Sequence, residues 1–225
     1  MKEICLVFEY KGIKIRWLGH DSFVLDNYIK IIIDPYKITK HDKADLVLVS
    51  HNHFDHLSVD DLKNVCTEKT VIVAANECIN MITGFAFKEK IGMFPGQEKT
   101  ILGTKIRAVP AYNLDKINPD TRKPFHPKED NKVGFVIQMG DVVIYHTGDT
   151  DLIPEMTDIQ PDIALVPVSG TYVMTAKEAS QAISKIKPKI AIPMHYGTIV
   201  GSSKDADDLK EMVTSCQIQI LEKEK

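Results

Sequence analysis

Three imidazoles and a carboxylate fall within six residues at HNHFDH, positions 51 to 56. Neutral imidazole nitrogens beside a hard carboxylate oxygen are the donor set that zinc, manganese or iron accepts. The alternate spacing of His51 and His53 lets both face one ion, and Asp55 and His56 can turn toward a second. Two further candidates close strands. Asp149 in YHTGDT enters a glycine turn, where a carboxylate could bridge two cations. His195 in IPMHYGT precedes Gly197. Either alone would read as a cap or a local hydrogen-bonding group; beside HNHFDH they complete a metal-binding set of His51, His53, Asp55, His56, Asp149 and His195.

Such a set is one that supports hydrolysis. A metal lowers the pKa of a bound water from about 16 toward about 7, so hydroxide forms at neutral pH without a serine or cysteine nucleophile, and it polarises the bond under attack. Asp55 would orient the water and carry a proton to the leaving group, while His126 in PFHPKE, or His20 in LGHDSF, would meet developing negative charge. Asp55 and His126 are therefore the catalytic candidates. His20, Asn113, His146 and Tyr172 are candidates for substrate contact or for support of the ligands. The ordinary readings of His20, His126, His146 and Tyr172 are a turn histidine, a solvent-exposed loop histidine, a structural histidine and a half-buried tyrosine. His41, among charged residues, reads as surface.

The elements around these residues decide whether they can act together. HNHFDH follows the apolar run Leu46–Ser50, so its side chains leave the carboxyl end of a buried strand, where a scaffold presents ligands. Short strands are expected at Ile13–Leu18, Ser22–Leu25 and Ile29–Ile33, a helical turn capped by Ser58 with Leu57, Leu62 and Val65 on its apolar face, and a strand at Thr70–Ala75. Lys99–Val109 reads as a hairpin through Leu102 and Gly103, and Val133–Tyr145 as another through Met139, Gly140 and Asp141. Strict alternation follows: strand Ile163–Val168, helix Ala176–Ile186, strand Ile190–Met194, helix Ala206–Thr214, strand Ile218–Leu221. Hairpins followed by interleaved helices predict an α/β (α+β) chain of two sheets face to face with helices outside. Asn113–Asn131, rich in Pro, Asp and Lys, reads as a long loop that is either functional or mobile.

The chain has 225 residues, 44% hydrophobic and 26% charged, enough for one substantial core, so residues 1–225 are expected to form a single domain. A net charge of -3 offers no basic field for collecting phosphates. No cleavage site follows the apolar start, and no window nears about twenty apolar residues, so a cytoplasmic protein without a membrane partner is expected. Cys5, Cys66, Cys78 and Cys216 form no CxxC pair and read as ordinary thiols.

The pattern HxHxDH at His51, His53, Asp55 and His56, the GD carboxylate Asp149 and the final His195 stand in the order found in the metallo-β-lactamase superfamily. The chain resembles its small stand-alone hydrolases, the ascorbate-phosphate lactonase and N-acyl phosphatidylethanolamine phospholipase D type, and WLGHDSF and IPMHYGT extend the similarity over nearly its whole length. The resemblance implies a four-layer αββα sandwich. It also implies zinc, one or two ions, with manganese or iron as alternatives: His51 and His53 on the first, Asp55, His56 and His195 on the second, and Asp149 on both. One departure stands out. The family supplies a third histidine to the first ion, where this chain reads VPAYN and places Asn113, a weak neutral donor for zinc; His126 could fill the gap. The expected activity is cleavage of a phosphodiester, lactone or ester bond in a small molecule. The alternatives are a nuclease, disfavoured by the acidic balance and the lack of room for an RNA-gripping insertion, and a non-hydrolytic redox or regulatory metal protein. Homo-oligomer formation is left open.

Overall fold

The computed structural model describes residues 6–39 and 42–224, so Cys5 and His41 lie outside the described residues. The chain forms two compact units, one running to Met93 and rejoined by the stretch from Leu221, the other from Phe94 to Ile220. Each holds one seven-stranded mixed sheet.

In the first unit β1 Phe8–Tyr10, β2 Ile13–Gly19, β3 Ser22–Asp26 and β4 Lys30–Ile33 pair antiparallel in sequence order. β5 Leu46–Val49, β6 Val71–Ala75 and β7 Glu89–Met93 then add in parallel. Parallel neighbours need a crossover, and α1 Val59–Val65 provides the one between β5 and β6. The Ser58 side chain caps α1 by accepting from the Asp61 amide at 3.3 Å, as its position ahead of the apolar period predicts. The C-terminal stretch returns to this sheet: Lys223 bridges Trp17, and Glu224 pairs with Arg16.

The second unit repeats the grammar. β8 Glu98–Ile101, β9 Thr104–Pro110, β10 Val133–Met139 and β11 Val142–His146 pair antiparallel. β12 Ile163–Pro167, β13 Ile190–Met194 and β14 Gln217–Ile218 follow in parallel, joined through α2 Ala176–Ile186 and α3 Ser203–Met212. Three antiparallel pairings followed by three parallel ones occur in both units.

The antiparallel strand β2 alternates buried and exposed positions at its start, while β5, β6, β12 and β13 are buried throughout. Central parallel strands therefore read as unbroken apolar runs. Each fully buried Val, Leu or Ile contributes about 1.5–3 kcal/mol, which makes the carboxyl ends of these strands rigid platforms.

Several expectations are corrected. Helix α3 starts at Ser203, because Ser202 and Asp205 form a capping box ahead of the apolar residues. The last strand is only Gln217–Ile218. β7 was not expected, since the charged and half-exposed EKIGM is an edge strand whose polarity hides its period. Asn113–Asn131 is not structureless. Asn113 N donates to His126 O at 2.8 Å, Phe125 N to Lys116 O at 3.0 Å and Asn118 N to Lys123 O at 2.8 Å, a hairpin that brings His126 back beside Asn113.

Candidate metal centre

In the first unit, β4 and β5 end side by side, and a buried carboxylate at one end organises the other. Asp34, fully buried, accepts from Ser50 N at 2.7 Å, from Ser50 Oγ at 2.5 Å and from His56 Nδ1 at 2.9 Å. Ser50 Oγ lies 3.0 Å from His51 Nδ1. Its hydrogen is committed to Asp34, so the hydroxyl oxygen accepts from His51 Nδ1–H. A carboxylate has no hydrogen to give, so His56 Nδ1 must likewise be the donor. In the neutral imidazole each ring therefore carries its lone pair on Nε2, the arrangement second-sphere partners impose on metal-ligating histidines.

The same turn brings its members together. The His51 ring centroid is 4.0 Å from that of His56 and 4.6 Å from that of His53. His56 N and Leu57 N both donate to His53 O, closing the turn before α1. Asp55 is partly exposed, and its Oδ2 accepts from His20 Nε2 at 2.9 Å and lies 3.9 Å from His56 Nε2. His20 sits on the turn between β2 and β3, in the same sheet as β5, fully buried and with a left-handed φ of 51°. Asp21 beside it is also fully buried, with Oδ2 3.9 Å from His56 Nδ1.

In the second unit, Asp149 follows β11 through Gly148, whose φ is +65°. His146 ends that strand, and its Nδ1 accepts from Gly148 N at 3.2 Å, so its hydrogen is on Nε2 and the ring braces the turn. His195 leaves β13 with a left-handed φ of 59°, a backbone state that needs surrounding structure to hold it. β14 pairs only with Ile190 and Ala191, so Pro193, which lacks a ladder donor, falls beyond that pairing. His195 Nδ1 lies 3.0 Å from Ser169 Oγ, whose hydrogen points to Thr171 O at 3.4 Å. Its Nε2 is 3.2 Å from Asp149 Oδ2. His126 is 1% exposed rather than a solvated loop residue, and its Nε2 is 3.3 Å from the same Asp149 oxygen. Asn113 accepts from His126 N at 3.0 Å and lies 2.9 Å from His126 Nδ1.

Hydrogen-bond partners thus sort these histidines into two kinds. His51, His56, His126 and His195 give Nδ1–H to Ser50, Asp34, Asn113 and Ser169, and keep the lone pair on Nε2. His20 and His146 carry the hydrogen on Nε2 and act as braces. Tyr172, half exposed with φ +69°, takes part through its backbone carbonyl, which accepts from Asn113 Nδ2 at 2.8 Å. Motif and spacing do not single out Asp34, Ser50 or Ser169 as site residues. Asp34 had a signal, a carboxylate ending the wholly apolar III run, but Ser50 and Ser169 have none that spacing reveals.

A mixed sheet with helices in each unit, and aspartates and histidines leaving the carboxyl ends of its parallel strands, define a metallo-β-lactamase-like protein. The chain belongs to the β-lactamase superfamily: the model for the β-lactamase superfamily domain matches residues 14–195, a stretch that includes every candidate ligand. It is 32% identical to a UPF0173 metal-dependent hydrolase of Archaeoglobus fulgidus over 212 residues, covering 89% of this chain and 90% of that one. It is also 32% identical to a UPF0173 metal-dependent hydrolase of Pelotomaculum thermopropionicum, covering 92% and 96%. Among solved structures, one from Parabacteroides distasonis, provisionally named a metal-dependent hydrolase, is 29% identical with a TM-score of 0.82, covering 96% of this chain and 98% of that one. The metallo hydrolase Igni18 of Ignicoccus hospitalis, 24% identical with a TM-score of 0.75 and covering 95% and 96%, shares the fold. Among the described residues no helix is long and apolar enough to cross a membrane.

Proposed function

We propose that this chain is a metal-dependent hydrolase, with zinc as the first metal to test, that cleaves a phosphodiester, lactone or ester bond in a small molecule. The observation that carries the reading is the convergence on Asp149. Two imidazole nitrogens whose partners leave the lone pair on Nε2 lie 3.2 and 3.3 Å from one carboxylate oxygen. Three acceptors that close repel one another unless a cation or added protons lie among them. A divalent ion satisfies all three, and nitrogen with carboxylate oxygen is the donor chemistry zinc takes.

By the family pattern, the ligands we assign are His51, His53, Asp55, His56, Asp149 and His195. His126 joins them as the third histidine of the first ion, the place the family pattern gives to the position of Asn113. Bound there, the metal would supply an activated water and polarise the bond under attack. The chain's own residues do the rest. His20 Nε2–H holds the Asp55 carboxylate, so Asp55 can orient the attacking water and pass its proton toward the leaving group. Asp34 and Ser50 fix which nitrogen His51 and His56 present. The net charge of -3 favours a small substrate over a polyphosphate chain.

The test is elemental analysis of untagged protein, for wild type, His53→Ala and His126→Ala, alongside hydrolysis of one phosphodiester, one lactone and one ester before and after chelation. Bound metal in wild type, reduced in both variants, with chelator-sensitive turnover of one substrate, is the expected result. Metal content untouched by His126→Ala would remove His126 from the ligands, and turnover that survives chelation would end the reading.

A further inference from the structure

Asn113 occupies the place where the family pattern calls for a ligand, yet every polar atom of its side chain has another task. Oδ1 accepts from the His126 backbone N at 3.0 Å and stands 2.9 Å from His126 Nδ1. Nδ2 donates to Tyr172 O at 2.8 Å and to Asp151 Oδ1 at 3.3 Å. These partners fix the amide. Turned over, Nδ2 would face a backbone N–H, and Oδ1 would face a carbonyl and a carboxylate. With Oδ1 toward His126, only a hydrogen on Nδ1 makes the 2.9 Å contact a bond. Imidazole in water prefers the other tautomer, with hydrogen on Nε2, so the site imposes the less favoured form.

The partners of Asn113 are themselves fixed. Asp151, 3% exposed, accepts from Leu114 N at 2.7 Å and Asp115 N at 3.2 Å. Tyr172 rides on a tight turn in which Ser169 bridges Thr175 and Gly170 N donates to Met174 O at 3.0 Å. Gly170 has φ +71°, and a Cβ there would stand 2.8 Å from Thr175 Cγ2, so a side chain at that position would strain the turn. The Tyr172 ring packs edge-on against Phe125, the neighbour of His126, with centroids 4.6 Å apart. From the same turn, Ser169 Oγ meets His195 Nδ1. One seven-residue turn, 169–175, therefore reaches His195 through Ser169 and His126 through Tyr172 and Asn113.

We propose that Asn113 is a positioning residue and not a ligand: it locks His126 in the Nδ1–H tautomer, and the 169–175 turn sets the Nε2 atoms of His126 and His195 together on Asp149. Its purpose, though not its geometry, rests on the metal-binding reading above. A histidine ligand moved thirteen residues along the chain needs a new second-sphere partner, and the abandoned position supplies it.

The test is long-range ¹H–¹⁵N NMR of histidine side chains in the full chain after chelation, with zinc affinity measured separately by competition with a chromophoric chelator. In wild type, His126 shows a protonated Nδ1, whether or not Nε2 takes up a proton once the metal is removed. Asn113→Ala moves His126 to the Nε2–H form and weakens zinc by about tenfold or more. Asn113→Leu, which fills the same space without an acceptor for Nδ1, does the same. Ser169→Ala changes His195 and leaves His126 alone. His146, set by the Gly148 amide in the same unit, keeps its signals in every variant and reports that the fold is intact; if it moves in Asn113→Ala, Asn113→Leu is the deciding variant. An Nε2–H tautomer at His126 in wild type overturns the proposal. So does Asn113→Ala with an unchanged tautomer, whether zinc is kept, which leaves Asn113 no role, or lost, which makes it a ligand. If wild type binds no zinc, the metal reading fails while the tautomer still decides what Asn113 does.

Discussion

His56 Nδ1 donates to Asp34 Oδ2 at 2.9 Å, and the same oxygen takes the hydroxyl of Ser50, which in turn accepts from His51. A single buried carboxylate thereby sets two histidines of HNHFDH. Replacing it with Asn113's chemistry would not suffice, because an amide has one acceptor atom where Asp34 uses two. In Asp34→Asn, zinc affinity should fall about 10–100-fold and stability by about 2 kcal/mol. Chelator competition and calorimetry check both, and affinity within twofold of wild type would deny Asp34 this role.

Gly148 delivers Asp149 into the site. Its φ is +65°, and a Cβ would stand 2.8 Å from Val133 O, so Ala meets both a left-handed backbone and a backbone clash. Gly148→Ala should cost about 2 kcal/mol or more and lower metal content with it, since Asp149 is the next residue. Full metal content in a destabilised Gly148→Ala would show that the turn can shift without disturbing Asp149.

Lys116 ties the 113–126 hairpin to the start of α2, with Nζ 2.8 Å from Glu178 Oε1 and 3.4 Å from Asp151 Oδ1. Burial raises the Glu178 carboxyl, but hydrogen bonds from Lys116 and Thr175 outweigh it and hold the group below its ordinary value. Burial lowers Lys116 in the same way, and its bonds to Asp115 and Glu178 leave it raised. A depressed carboxyl contributes fully above its unfolded value, about 4.3, and loses that contribution as pH falls through the folded value. Lys116→Met should therefore lower Tm at pH 7 by roughly 2–4 °C, for about 1 kcal/mol. The gap to wild type should close as the pH drops below 4; a gap constant with pH would mean that packing of the lysine stem carries the effect.

Cys66 closes α1, and burial pushes its thiol up to about 12, with Lys43 pulling weakly the other way. At pH 8 the thiolate is therefore scarce as well as shielded. A chromogenic disulfide reagent should leave Cys66 unlabelled in the native protein and label it at once in denaturant. Rapid native labelling, located by peptide mass, would mean that α1 opens readily.

Much of this protein was legible in one dimension. HNHFDH, Asp149 and His195 announce metal chemistry because donors so concentrated have no structural use, and the apolar runs before them are the buried strands that carry them. Edge strand β7 and the base of the 113–126 hairpin were not legible, since charged edge residues and backbone hydrogen bonds across thirteen residues leave no period. Asn113 is the sharpest case. Its residue type suggested a weak ligand, whereas its contacts make it an acceptor for His126. Residue type and order are local properties, and they determined which side chains can bind a metal. Which nitrogen each histidine presents depends on a hydrogen bond to a partner far away in sequence, Asp34 for His56, Ser169 for His195 and Asn113 for His126, and only the tertiary structure could decide that.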